Sequence, residues 1–187
     1  MTENVSEAKS RLRTQVLAKR SKALAFDTAN QVGAQLLSLC GQLGARNVGI
    51  YLSFGSEPVT DVFVVSAKAA GITLFAPRTG PESTMEFARL EGPTESSQLG
   101  FLQPIGEAME PDELDLIIAP ALSVDAFGNR LGRGGGFFDR YLEQFEGPVA
   151  AVVYEHELVS ELPSESHDHP VQYAITPTGI LALKPKR

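Results

Sequence analysis

Apolar positions along the chain repeat with two different periods, and the points where one gives way to the other outline its elements. From residue 6 to 25, Ala8, Leu12, Val16 and Leu17 share one side of a helical period. This predicts a helix that buries them and carries its basic residues elsewhere. Val32, Leu36, Cys40 and Leu43 do the same for a second helix over 28–43. The run 48–52 reads as a buried strand. Thr60 is placed to cap a helix over 61–70, with Gly71 to end it. Strands are predicted at 72–76, 85–90 and 114–119, and the polar stretch 92–100 reads as a loop. A helix over 137–145 leads into 149–154, an almost unbroken apolar run of the kind shown by a parallel strand buried on both faces. Short strands are predicted at 173–176 and 180–183. Strands alternating with helices predict the α/β class: a single domain of three α/β/α layers around a mostly parallel central sheet.

Composition narrows the class. The 187 residues, 43% hydrophobic and 21% charged, suffice for one sizeable core and are expected to form a single domain over 1–187. Net charge is −7 and the isoelectric point about 5.0, which argues against a general nucleic-acid partner. The stretch 9–22 is the local exception, with Lys9, Arg11, Arg13, Lys19, Arg20 and Lys22 and no acid. The single cysteine, Cys40, excludes an internal disulfide and a multi-cysteine zinc site, and its spacing makes it a small core residue. No apolar run approaches the roughly 18 residues of a membrane span, and no secretory signal is evident. The expected setting is the cytoplasm, with no membrane partner.

The segment from Arg130 to Tyr141 carries the chemistry. It sets Gly132, Gly134, Gly135 and Gly136 among Arg130, Arg133 and Arg140, followed by Asp139, between an apolar strand and a helix. Glycine lets backbone approach a ligand closely and turn through positive φ. Consecutive backbone N–H groups entering a helix form an anion site, and the arginines add charge-assisted bonds to phosphate or carboxylate. Asp139 suits a metal ion on that phosphate. No Gly-x-x-x-x-Gly-Lys-Ser/Thr occurs, so the loop is not a Walker A loop. Phe137 stands where a dinucleotide fingerprint needs its third glycine.

With its flanks, this segment resembles the 5-formyltetrahydrofolate cyclo-ligase family, also called 5,10-methenyltetrahydrofolate synthetases. The family pattern is an apolar strand, Pro, small residues, Asp-x-x-Gly-x-Arg-Leu-Gly-x-Gly-x-Gly, two aromatics and Asp. Residues 115–142 follow it almost position for position, from Pro120 through Asp125, Gly128 and Arg130 to Asp139. Lys9 and Arg13 resemble the family's N-terminal Lys-x-x-x-Arg, and residues 51–57, 76–78, 85–87 and 162–168 resemble further segments in order. The resemblance covers residues 8–183. It implies a Rossmann-like, NagB/RpiA/CoA-transferase-like layout and an ATP-dependent cyclisation of 5-formyltetrahydrofolate to 5,10-methenyltetrahydrofolate, with Mg2+.

The resemblance also implies roles. Lys9, Arg13, Arg130, Leu131, Gly132, Arg133, Gly134, Gly135, Gly136, Phe137 and Phe138 would bind ATP. Leu52 and Glu57 would contact the folate pterin. Arg133, Gly134, Gly135, Gly136 and Phe137 would sit where formyl group and phosphate meet, with Arg133, Gly135 and Phe138 catalytic. Asp139 and Gln172 would hold the metal.

Three differences from the family stand out. Both aromatics after the glycines are phenylalanine, where relatives usually have a tyrosine. Gln172 stands where a metal-binding Asp is common, leaving Asp168 as a substitute, and Gln103 replaces a frequent Glu. These changes motivate the alternative of a divergent member that binds nucleotide or folate without turnover, or acts on another N-acyl substrate. His167 and His169, two apart, read as part of a polar loop rather than a metal pair. A monomer or weak homodimer is expected.

Overall fold

The computed structural model describes residues 4–81, 84–97 and 100–184. Five α-helices lie among them: α1 (Val5–Lys19), α2 (Lys22–Asp27), α3 (Ala29–Leu43), α4 (Asp61–Ala69) and α5 (Phe137–Leu142). The strands are β1 (Asn47–Ile50), β2 (Thr73–Thr79), β3 (Met85–Arg89), β4 (Thr94–Ser96), β5 (Leu102–Pro104), β6 (Ala108–Met109), β7 (Leu116–Pro120), β8 (Ser123–Asp125), β9 (Arg130–Leu131), β10 (Val149–Val152), β11 (Leu158–Val159), β12 (Tyr173–Thr176) and β13 (Gly179–Ala182).

Eight strands form the central sheet in the order β13-β12-β10-β7-β1-β2-β3-β6. The middle five run parallel, while β13, β3 and β6 pair antiparallel at the edges. Successive strand residues point to opposite faces, so both faces are buried by alternate positions. Val48, Ile50, Leu116, Ile118, Ala150 and Val152 meet Val32, Leu36, Leu39, Phe63 and Ala67 of α3 and α4. Ile117, Ala119, Val149 and Ala151 face the other way, onto Tyr141, Leu142 and Phe145. These are the three layers that the alternation predicts. Gly49 is required at its place, because a Cβ there would come within 2.9 Å of the Phe87 ring.

The order of winding positions the site. From β1 the chain crosses through α4 to β2 on one side, and from β7 it crosses through α5 to β10 on the other. The two crossovers diverge, so the C-terminal ends of β1 and β7 border a crevice that no crossover fills.

Several expectations are corrected. The predicted helix over 6–25 is two helices, because Arg20 leaves the helix in an extended conformation and Ser21 accepts from Leu24 N–H to start α2. Its buried side is only partly as expected. Lys9 is the one buried residue of α1, Leu17 is exposed, and Leu12 and Val16 are only half-buried against Leu122, Leu131 and Leu162. Thr60 does not cap α4 with its side chain: its hydroxyl donates to Tyr51 O and accepts from Ser53 N–H. Within the predicted loop 92–100, residues 94–96 are β4, paired with β5. Leu43 ends α3 exposed rather than in the core. No described helix is long and apolar enough to cross a membrane.

Candidate active site

Two cavities open at the crevice, one on each side of the glycine loop. The first, about 370 Å³, is lined by Tyr51, Leu52, Phe54 and Glu57 beyond β1, and by Pro120, Ala121 and Leu122 at the end of β7. Pro77, Thr79, Met85, Phe101, Phe137 and Phe138 complete its largely apolar wall. The second, about 420 Å³, is polar and lies between the loop, α1 and the segment 165–168. Arg130, Gly132, Gly134, Gly135, Gly136 and Asp139 line both. One stretch of backbone is thus the partition between an apolar and a charged chamber.

The loop keeps its shape through glycine and arginine together. Gly134 and Gly136 adopt φ of 99° and 67°, the left-handed region that an L side chain resists. Gly136 immediately precedes α5, so the loop N–H groups enter that short helix. Arg13 Nε donates to Gly132 O at 2.9 Å, and an Arg140 Nη donates to Gly135 O at 3.0 Å. A Cβ on Gly134 would lie 3.3 Å from the Arg13 guanidinium carbon. Two arginines from different elements therefore clamp the loop by its carbonyls.

Arg130 is buried and bridges the sheet to α5, with one Nη donating to Pro120 O at 3.0 Å and the other to Asp139 Oδ1 at 2.7 Å. Its guanidinium carbon stands 5.7 Å from the Phe138 ring centroid, within cation–π range. Its Nε is buried without a partner among the described residues. Arg133 leans the other way, donating to Glu57 Oε1 at 2.7 Å and resting 5.1 Å from the centre of the Phe54 ring. Glu57 is held by Phe54 N–H at its second oxygen.

Lys9 closes the far side of the polar chamber. Its ammonium donates to Glu165 at 2.8 Å and to the two Asp168 oxygens at 2.8 and 2.6 Å. Burial alone would lower its pKa, but the bonds to Asp168 and Glu165 hold it above the ordinary lysine value. Lysine, three arginines and the loop amides thus face a chamber in which Arg130 holds Asp139 and Lys9 holds Glu165 and Asp168, with Glu143 also in the lining. An anionic ligand can compete with those carboxylates for Lys9 and Arg130.

Of the residues singled out in the sequence, Lys9, Arg13 and 130–139 converge here, and Leu52 and Glu57 face them across the apolar cavity. Leu131 is buried against Leu122 and Leu162 and lines only the polar side, whereas Arg133, Phe137 and Phe138 line only the apolar one. Gln172 is not brought to the site. Its Oε1 accepts Val149 N–H at 2.8 Å, where β10 begins, at the end of the sheet opposite the crevice. Asp168 lines the chamber with Asp139 instead. Thr79, Met85 and Phe101 were missed as cavity residues. Their signal was only positional, the C-terminal end of one strand and the strands beside it.

A doubly wound sheet with a glycine loop dividing two chambers at its switch point defines an α/β protein that can hold an anionic ligand beside an apolar one. The 5-formyltetrahydrofolate cyclo-ligase family model matches residues 5–177. A 5-formyltetrahydrofolate cyclo-ligase of Mycolicibacterium smegmatis is 31% identical over 95% of this chain and 98% of its own. One from Mus musculus is 29% identical over 88% and 91%. The structure of Aquifex aeolicus 5,10-methenyltetrahydrofolate synthetase superposes with a TM-score of 0.80 at 27% identity, covering 96% and 94% of the two chains. The chain belongs to the 5-formyltetrahydrofolate cyclo-ligase family.

Proposed function

We propose that the protein cyclises 5-formyltetrahydrofolate to 5,10-methenyltetrahydrofolate, consuming ATP and releasing ADP and phosphate. The observation that carries this reading is the glycine wall common to both chambers, which lets a γ-phosphoryl group on one side meet a formyl oxygen on the other. A formamide carbon is a poor electrophile, and its oxygen is a poor leaving group. Attack of that oxygen on the γ-phosphorus breaks the bond to ADP and leaves the oxygen phosphorylated. The neighbouring amine nitrogen then adds to the activated carbon and gives up its proton to solvent. Cleavage of the C–O bond expels phosphate as the ring closes. Such a transfer needs positioning and charge neutralisation more than covalent help.

The residues divide by chamber. Lys9, Arg13, Arg130 and the backbone from Leu131 to Gly136 hold the ATP phosphates. Leu52 and Glu57 hold the pterin, whose amino-pyrimidine edge offers two N–H donors to one carboxylate. In the free protein Arg133 occupies Glu57. The pterin takes over that carboxylate and frees the Arg133 guanidinium for charge building on the transferred phosphoryl group. Gly135 lets the wall stay thin, and Phe137 and Phe138 keep water from the activated carbon. Mg2+ would neutralise phosphate oxygens, and its hard-oxygen preference fits the Asp139 and Asp168 carboxylates lining the polar chamber. The reading is completed by a cytoplasmic, monomeric or weakly dimeric enzyme, and the net charge of −7 supports the absence of a nucleic-acid partner.

Near-ultraviolet absorbance of the methenyl product tests it. A rise that needs protein, 5-formyltetrahydrofolate and MgATP together is expected. No rise from folded protein that binds ATP would overturn the reading and favour the alternative of another N-acyl substrate.

A further inference from the structure

One side of the apolar cavity is built outside the central sheet. β4 and β5 pair antiparallel as a separate two-stranded unit, and Phe101, just before β5, reaches the cavity beside Thr79 and Met85. That unit is tied to β2 through Gln103, which is only 6% exposed. The Gln103 Oε1 accepts the Thr79 N–H at 3.1 Å and its hydroxyl at 3.3 Å. The Gln103 Nε2 donates to Glu95 Oε1, on β4, at 2.9 Å. One amide therefore joins three strands, accepting at one atom and donating at the other. A carboxylate could serve Thr79 but would confront Glu95 with like charge. Arg78 adds a parallel tie, donating to Gly106 O at 3.0 Å beyond β5.

We infer that Gln103 is a positioning residue for the folate. Its amide fixes Phe101 and Thr79 as a wall of the apolar cavity, and so sets folate affinity without touching the nucleotide chamber. The inference rests on the function proposed above. Gln103 does not itself line either cavity, so its effect passes through those two residues.

The test uses the full chain with Gln103→Glu, Glu95→Gln and the double variant. A lost charge-assisted bond at a partly solvated site predicts a rise of roughly fivefold in folate KM for Gln103→Glu. The ATP KM and kcat should stay within about twofold of wild type on the same grounds. The double variant should return to the wild-type folate KM, because the amide introduced on β4 can donate to the carboxylate introduced on β5. Amide exchange at Thr79 and at residues 101–103 should speed up in Gln103→Glu and recover in the double variant. An unchanged folate KM overturns the inference. So does a loss of all parameters together with melting temperature that the double variant does not rescue. Wild-type turnover separates the two readings: without it the cyclo-ligase proposal fails, and the Gln103 tie is then judged on amide exchange alone.

Discussion

Lys9 spends its charge inside the protein. Three carboxylate oxygens, from residues 156 and 159 positions away, lie within 2.8 Å of its ammonium, and the residue is 6% exposed. Replacing it with methionine keeps the aliphatic packing and removes the cation from the polar chamber. We expect Lys9→Met to raise the ATP KM about tenfold and leave the folate KM within about twofold. Initial rates with each substrate varied in turn would show this. A matched rise in both would mean that Lys9 braces the fold rather than the nucleotide. This residue also marks a limit of sequence reading. Helical period groups Lys9 with Arg13 on one stripe, but whether a stripe faces water depends on what lies opposite. The opposing acids belong to a segment no local pattern connects to α1. The glycine loop was legible because its chemistry is local, with consecutive glycines and arginines acting on backbone they themselves form. Gln172 misleads for the converse reason, since its place relative to Asp139 depends on which end of β12 lies at the crevice.

The break between α1 and α2 turns on one buried pair. Arg20 donates to both Glu157 oxygens, at 2.6 and 2.7 Å, and to Ala121 O, with the two side chains 0% and 1% exposed. Burial works against the Arg20 charge, and Glu157 more than restores it. Losing one partner strands a charge in the core, which costs about 3–5 kcal/mol. Arg20→Met should lose that much in denaturant unfolding, whereas Arg20→Met with Glu157→Leu should lose markedly less. Equal losses would show that packing, not the orphaned charge, sets the cost. At this scale the long elements were readable from period alone. The helix break was not, because residues 19–22 carry no glycine or proline. Nor were β4, β5, β8, β9 and β11, since two or three residues are too few to display an alternation.

Taken whole, the molecule buries its weak acids in one direction. Burial pushes the Cys40 thiol up to about 11 and the Tyr154 hydroxyl up to about 12, and it raises Tyr51 and Tyr141 as well. The folded state thus keeps protons that the unfolded chain releases from about pH 8.5 to 10 upward. Stability from these groups is fully present below that range and is lost as pH rises through it. We expect a melting temperature that is flat near neutrality and falls steadily above about pH 9. A melting temperature that holds constant from about pH 9 to 11 would contradict it. Fold class was legible at this scale because strand and helix runs alternate, whereas the strand order, which creates the crevice, came only with the tertiary structure.

The partition between the chambers has a consequence for how such a protein can change. A substitution in the backbone from Gly132 to Gly136 alters both ligands at once, so adaptation toward a new nucleotide there is penalised by the acyl substrate, and the reverse. The rims carry no such pleiotropy: α1 borders only the polar chamber, and Phe101 with Leu52 only the apolar one. Descendants and engineered variants should therefore diversify at the rims, each specificity evolving on its own, while the shared wall stays frozen between them.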